Sequence, residues 1–289
     1  MIPNLQYIVN DFDCFLSFCK QSNMLYLSSM KGINMNQIDP IAFTLFGLEI
    51  RWYGILIASS VLIGICIASI RAQRHGLKSD DVLDVIIWTI PFGIIGARLY
   101  YVIFNWSSYS GNLFDIINIR EGGLAIHGGL IIGLITALVV STVKRIDFLD
   151  MADLLIPEVA LAQAIGRWGN FFNGEAYGSE TNLPWAIVID GKHVHPTFLY
   201  ESLWCLFLFF ILIYISSRRK FPGQIILVYG MLYSIERFFV EGLRTDSLML
   251  YGLKQAQLIS VAIFIISFIL YFYNIRVKKN SRKRSRRNK

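Results

Sequence analysis

The residues most able to do chemistry lie in one polar segment at the end of an apolar run. Residues 166–178 read GRWGNFFNGEAYG and contain one arginine, two asparagines and one glutamate among four glycines. A charged side chain at bilayer depth costs about 2.5 to 3.5 kcal/mol, so it requires a partner or a function. Since a planar guanidinium binds two oxygens at once, the segment indicates a phosphate ligand.

A second polar set follows a helical spacing. In YSIERFFVEGLR, Tyr233, Arg237, Glu241 and Arg244 succeed one another at intervals of 4, 4 and 3 residues. Residues three and four apart share one face of a helix, so we expect these four side chains to lie together. Arg237 and Glu241 are spaced to form an ion pair.

Further polar residues interrupt other apolar runs. His127 lies in GGLAIHGGL, Arg98 lies in GARLYYV, and HPTFLYES contains His195 and Glu201. Helices that bury this much polarity at one depth are expected to enclose a wet cavity. A phosphate held by arginines in such a cavity is most simply a lipid headgroup.

The elements that carry these residues are predicted to be membrane helices. Hydrophobic residues make up 55% and charged residues only 16% of the 289 residues, and the mean hydropathy is +0.52. Soluble domains carry about 25% charged residues, and a spanning helix needs about 20 mostly apolar residues. Seven segments qualify: 52–70, 84–104, 124–143, 152–172, 197–216, 223–243 and 256–275.

The charges of the connections predict the orientation. The connections after the first, third and fifth predicted spans, and the tail after the seventh, carry most of the cations, which the positive-inside rule places in the cytoplasm. The connections on the other side carry few: Arg51, Arg120, Lys192, Arg244 and Lys254. We therefore expect an all-α, polytopic integral membrane bundle of seven transmembrane helices with its N-terminus outside and its C-terminus cytoplasmic. The polar residues then lie toward the outer leaflet.

The two ends of the chain differ from the body. Residues 1–40 are interpreted as a peripheral extension or a mis-assigned start, because DFDCFLSFCK is too short and too charged to span and no basic region precedes it. Residues 41–275 form the seven-span domain. Residues 276–289 form a basic cytoplasmic tail, expected to be disordered beside anionic lipid headgroups. The tail supplies nine basic residues of a chain whose net charge is +7, so the charge gives no argument for nucleic acid.

Plainer interpretations exist for each feature. The arginine and glutamate pairs serve equally well to fix helix register, the glycines to pack helices closely, and RWYG at 51–54 to anchor the chain at the interface. A transporter or flippase for an anionic substrate is the alternative function, although transporter sites lie near the bilayer midplane between repeated halves. The four cysteines show no spacing typical of metal or redox sites: Cys14, Cys19, Cys66 and Cys205.

The motifs resemble one enzyme family. GRWGNFFNGEAYG matches every fixed position of the prolipoprotein diacylglyceryl transferase signature, Gly-Arg-x-Gly-Asn-Phe-x-Asn-x-Glu-x-x-Gly. RWYG, GARLYYV, IHGGL, HPTFLYE and RFFVEGLR resemble further landmarks in the same order, so the likeness covers about residues 41–275. The resemblance implies a bacterial plasma-membrane enzyme with seven spans and an outward-facing site, without metal or other cofactor. Such an enzyme moves the diacylglyceryl group of phosphatidylglycerol to the lipobox cysteine of a preprolipoprotein.

The resemblance also implies roles for individual residues. His127 is the candidate base for the thiol, with Tyr53 and Tyr233 as alternative groups for proton transfer. Arg167 and Arg237 bind the charge that develops on the departing phosphate. Asn170 donates a further hydrogen bond, while Glu175 and Glu241 orient the guanidiniums. The full set expected to bind phosphatidylglycerol is Arg167, Asn170, Arg98, Glu175, Gly178, Glu241, Arg244 and His195.

Overall fold

The computed structural model describes residues 38–111, 113–119, 122–250 and 252–287. Within them lie seven helices of 19 to 33 residues. Their bounds are α1 Trp52–Arg71, α2 Ser79–Phe104, α3 Ile126–Lys144, α4 Phe148–Asn173, α5 Thr197–Ser216, α6 Gln224–Leu243 and α7 Gln255–Arg287. The expected mostly helical architecture is therefore confirmed, and a helix occupies each of the seven predicted segments.

Five of these helices are long and apolar enough to cross a membrane. They are α1, α2, α3, α5 and α7. The span that contains α1 also includes the helical turn after it and ends at His75. The helices α4 and α6 have charged residues within their apolar stretches, Asp153 and Glu158 on the first and Glu236 on the second among them. The seven-span count and the orientation of the two ends stay predictions.

The described residues include three short antiparallel hairpins that the sequence patterns did not predict, one before α1, one between α4 and α5 and one between α6 and α7. They are β1 Ile41–Leu45 with β2 Leu48–Arg51, β3 Ile187–Ile189 with β4 Lys192–Val194, and β5 Met249–Leu250 with β6 Leu253–Lys254. Strands of two to five residues are too short to show a period-two alternation, so an all-α expectation missed them.

The basic tail is helical through Arg287, which differs from the expected disorder. Residues 276–289 were expected to be disordered, but α7 continues through Arg287. The segment contains no glycine or proline and is rich in lysine and arginine, which have high helix propensity. A helix begun in the apolar part of α7 therefore extends without a new nucleation step. The predicted extension at 1–40 falls almost wholly outside the described residues.

The chain forms two compact units, each built from separated stretches. The described residues of the first lie within 38–58, 163–205 and 234–262, and those of the second within 59–162, 206–233 and 263–287. In the first unit the described core gathers around the β3–β4 hairpin. Ile187 and Val194 pack there with Phe198 at the start of α5.

In the second unit, glycines bring α2 and α3 into close contact. A Cβ atom added to Gly96 would lie 2.5 Å from the Ile132 Cβ, and one added to Gly128 would lie 2.3 Å from the Gly96 carbonyl oxygen. Small residues at these positions allow two backbones to approach closely, which is the main source of packing between apolar helices. The contact fixes the start of α3 against the C-terminal part of α2.

Charged groups buried in the second unit have specific partners. The Arg71 guanidinium binds Glu158 Oε1 at 2.5 Å and Ser216 Oγ at 2.9 Å. Asp153, fully buried on α4, accepts hydrogen bonds from the main-chain N–H groups of Gly223, Ile225 and Ile226 at 2.8 to 3.1 Å. Since the first N–H groups of a helix lack internal partners, Asp153 caps α6 from another helix.

This cap predicts a large effect on stability. Asp153→Ala should lower the free energy of unfolding by about 3 kcal/mol or more, because three main-chain N–H groups lose their acceptor in a buried site. Asp153→Asn keeps one acceptor oxygen and should lose less. Chemical unfolding in detergent measures both. Equal stabilities of Asp153→Ala and the unchanged chain would contradict the assignment.

Candidate substrate-binding site

One buried carboxylate joins three helices in the first unit. Glu201 on α5 is 2% exposed; its Oε1 accepts a 2.9 Å hydrogen bond from Arg237 Nη1 on α6, and its Oε2 pairs with Arg167 Nε on α4. The structure thus brings together the two arginines that the sequence predicts to converge. Their side chains are 22% and 20% exposed, so both arginines are only partly buried.

The second carboxylate at Arg237 comes from its own helix. Arg237 Nη2 pairs with Glu241 Oε2 at 2.5 Å across one helical turn. The predicted Arg237–Glu241 pair is therefore present. Two carboxylates hold the Arg237 guanidinium from two directions, which compensates for its burial and limits its rotation.

The signature segment closes α4 with a tight hydrogen-bonded turn. Glu175 Oε1 accepts hydrogen bonds from Asn170 Nδ2 at 3.0 Å and from Asn173 Nδ2 at 3.1 Å. Gly174 and Ala176 adopt positive φ angles of 64° and 59°, which the reversal of the chain requires. Arg167 forms an ion pair with Glu201, and the role of Glu175 in orienting a guanidinium stays a prediction. The carboxamides of Asn170 and Asn173, which belong to the same turn as Glu175, donate to its Oε1.

Tyr53, a predicted proton-transfer group, packs directly on the signature segment. A Cβ atom added to Gly169 would lie only 2.1 Å from Tyr53 Cδ2. The neighbouring Trp52 stacks on Phe172 with ring centroids 5.1 Å apart. Glycine at 169 is therefore required so that the Tyr53 ring can reach α4.

Main-chain contacts gather three more predicted residues. The Gly178 N–H donates to the His195 carbonyl oxygen at 3.0 Å, and Gly178 forms an isolated β-bridge with Arg244. A Cβ atom added to Gly178 would lie 2.7 Å from His195 Cβ. The His195 ring is hydrogen bonded through Nδ1 to the Tyr200 hydroxyl at 3.3 Å. The structure thus joins the signature segment to the start of α5 and the end of α6.

Arg244 departs from the predicted helix face. The helix α6 ends at Leu243, so Arg244 follows it and does not continue the face of Arg237 and Glu241. Its guanidinium binds Asp246 through two parallel hydrogen bonds of 2.9 and 2.7 Å. These bonds lower the pKa of the Asp246 carboxyl and raise the pKa of Arg244. The ion pair thus accounts for the position of Arg244.

Lys254 is a positioning residue that the sequence did not single out. Its Nζ donates to the carbonyl oxygens of Glu241, Gly242 and Arg244 at 2.7 to 3.1 Å. The last carbonyls of a helix lack internal partners and favour a cation, so Lys254 caps the end of α6. In the sequence it is one lysine of a short connection, and no local pattern indicates this role.

Three predicted site residues belong to the second unit. His127 is the second residue of α3 and is exposed, with its ring 6.1 Å from that of Tyr100. Tyr233 stacks on Tyr229 with centroids 5.3 Å apart. Arg98 is 6% exposed and binds main-chain carbonyls of the α2–α3 connection. Among the described residues, no three His, Cys, Asp or Glu side chains are grouped to hold a metal ion.

Known proteins match most of the chain. A family model described as prolipoprotein diacylglyceryl transferase matches residues 40–273. The phosphatidylglycerol–prolipoprotein diacylglyceryl transferase of Clostridioides difficile (strain 630) is 54% identical over 244 residues, covering 84% of this chain and 98% of the relative. Proteins of that name from Finegoldia magna and Clostridium kluyveri are 53% and 46% identical, over 81% and 82% of the chain and 94% and 96% of their own lengths. The chain therefore belongs to the prolipoprotein diacylglyceryl transferase family.

Proposed function

We propose that the chain transfers the diacylglyceryl group of phosphatidylglycerol to the lipobox cysteine of a preprolipoprotein. The products are a thioether-linked lipid and glycerol 1-phosphate, in the first step of bacterial lipoprotein maturation. Membership of the family supports the reaction. The observation that carries the proposal for this site is that Glu201 pairs with two arginines, Arg167 near the start of the signature segment and Arg237 on α6.

The chemistry requires a developing anion to be stabilised. The cysteine sulfur forms a bond to a glycerol carbon while the bond from that carbon to the phosphate oxygen breaks, and the phosphate leaves with the electron pair. Fixed donors aimed at such an oxygen lower the barrier because they need no reorganisation during the reaction. Arg167 and Arg237 serve as these donors, and Asn170, whose amide already holds Glu175, offers its second N–H to the phosphate.

The thiol proton needs an acceptor. A cysteine thiol with a pKa near about 8.5 is mostly protonated at neutral pH, so attack on carbon requires a base or a field that favours the thiolate. His127 is the proposed base because it is exposed at the start of α3. Tyr53, which packs on Gly169 of the signature, and Tyr233 are the alternative groups for proton transfer.

The proposed setting is a bacterial plasma membrane with the site toward the outer leaflet. The cations of alternate connections support an outer N-terminus and a cytoplasmic C-terminus. Several charged residues within α4 and α6 are paired, for example Arg167 and Arg237 with Glu201. Pairing lowers the cost of placing charge in lipid, so we assign both as the remaining two of seven spans.

The decisive assay combines the purified chain with phosphatidylglycerol and a lipobox peptide. Mass spectrometry of the peptide should show a diacylglyceryl thioether on its cysteine, with glycerol 1-phosphate released in equal amount. A serine in place of the peptide cysteine is the control, since it removes the nucleophile. Lipid movement across vesicles without any product would instead support a transporter.

Bidentate binding of the phosphate by the Arg167 guanidinium predicts the effect of substituting this residue. Arg167→Ala should reduce transfer by about a hundredfold or more, because it removes a donor to the leaving oxygen. Arg167→Lys retains the charge but loses the planar fork, so it should recover only part of the rate. Initial rates of peptide modification by equal amounts of folded protein measure both. Wild-type rates in Arg167→Ala would refute the role.

The shared carboxylate predicts a second effect. Glu201→Gln should lower the transfer rate by about tenfold or more, because two guanidiniums lose the anion that orients them. The matched control is Glu180→Gln, which removes an exposed carboxylate paired with Lys192 and should leave the rate unchanged. Similar losses in both variants would show that the effect is not specific to the buried cluster.

The contact between Tyr53 and α4 predicts a contrast between two glycines. Gly169→Ala should strongly reduce transfer, since its Cβ would overlap the Tyr53 ring and displace it. Gly166→Ala places its Cβ 3.4 Å from Ile57 Cδ1, a tight but adjustable contact, and should retain most of the activity. Rates and thermal midpoints of the two variants should be compared. Equal losses at both positions would contradict the proposed contact.

A further inference from the structure

Arg98 has its hydrogen-bonding capacity filled by main-chain carbonyls. Nε donates to the carbonyl oxygen of Ile116, Nη1 to those of Gly122 and Gly123, and Nη2 to those of Asp115 and Asn118, all at 2.5 to 2.9 Å. Arg98 thus donates five hydrogen bonds in total. A guanidinium has five N–H groups, so all of them are used. No donor remains for a phosphate in this arrangement.

The surroundings of the guanidinium are closed as well. Arg98 is buried, and its Cζ lies 5.0 Å from the centroid of the Tyr109 ring. A Cβ atom added to Gly123 would lie 2.3 Å from Arg98 Nη1, and the Gly123 φ angle is +72°. A side chain at 123 would therefore push the guanidinium away and also strain the backbone. The Arg98 guanidinium on α2 therefore packs closely against the connection that follows this helix.

This connection leads directly into α3. Two residues after Gly123, the Ala125 N–H donates to the Ala97 carbonyl oxygen at 3.0 Å, beside Arg98 itself. The helix begins at the next residue, Ile126, and His127 is its second residue. Arg98 and Ala97 therefore hold both the connection and the entry to the helix that carries His127.

We propose that Arg98 is a positioning residue, which orders the α2–α3 connection and thereby fixes the location of His127, and that it does not bind the lipid phosphate. This rests on the proposed function insofar as His127 acts in transfer. A guanidinium suits the task because its rigid fork reaches carbonyls in several directions, whereas an ammonium has only three N–H groups. The role differs from the phosphate contact that the sequence predicts for this arginine.

The first experiment measures order without using activity. Hydrogen exchange of the full-length chain in detergent should be compared between the wild type and Arg98→Lys, Gly123→Ala and Gly111→Ala. Exchange of peptides covering 113–125 should accelerate in the first two variants, because three N–H groups cannot replace five and a Cβ at 123 displaces Nη1. Gly111 lies in the same connection with nothing within 4 Å of an added Cβ, so its variant should match the wild type. Unchanged exchange in Arg98→Lys would overturn the proposal.

The second experiment separates positioning from phosphate binding. For Arg98→Lys, kcat should fall about ten- to hundredfold, since small displacements of a reacting group cost rate, while KM for phosphatidylglycerol stays within about twofold. A raised KM with kcat retained would mean that Arg98 binds the headgroup, and would overturn the proposal. Equal kcat in Arg98→Lys and Gly111→Ala would overturn it too.

A double variant tests whether Arg98 acts through His127. In a His127→Ala background, adding Arg98→Lys should lower the remaining rate by less than twofold, because the positioned group is already absent. Full additivity of the two losses would contradict the coupling. A wild-type chain that forms no thioether product would refute the proposed function, while the exchange pattern would still decide whether Arg98 holds the connection.

Discussion

The candidate site depends on the ion pairs that Glu201 makes with Arg167 and Arg237. Three helices, α4, α5 and α6, each contribute one of these charges. Charges in a low-dielectric interior are tolerated only with compensating partners, so this carboxylate both permits the arginines to be buried and orients them. Both arginines are thus partly buried without being left unpaired.

Five cations among the described residues differ in their partners. Arg167 and Arg237 pair with carboxylates, and Arg244 pairs with Asp246 beyond the end of α6. Arg98 donates its hydrogen bonds to main-chain carbonyl oxygens. Lys254 donates to the last carbonyl oxygens of α6 and so caps that helix. A guanidinium whose N–H groups all donate to the main chain orders that chain. The proposed phosphate role of Arg167 and Arg237 concerns arginines that pair with carboxylate side chains instead.

Particular elements show where sequence reasoning succeeded and where it missed. Apolar runs of about 20 residues located all seven helices, because the hydrophobic signal is local and strong. The helical spacing identified the Arg237–Glu241 pair, which lies within one turn. The same spacing extended the face to Arg244, one residue past the helix end, since boundaries depend on capping contacts such as those of Lys254. The hairpins and the helical continuation through 276–287 left no distinct periodic signal.

The amino-acid sequence alone determined the membrane class of the chain, the places of its helices and its family resemblance, because hydrophobicity and motif spacing are properties of short segments. Only the tertiary structure decided which carboxylate pairs with Arg167, why Gly169 must lack a side chain, and that Arg98 binds carbonyls. Those outcomes depend on distances between residues far apart in the chain. Such distances are set by the packing of whole helices, and several acceptors of equal chemistry compete for each arginine.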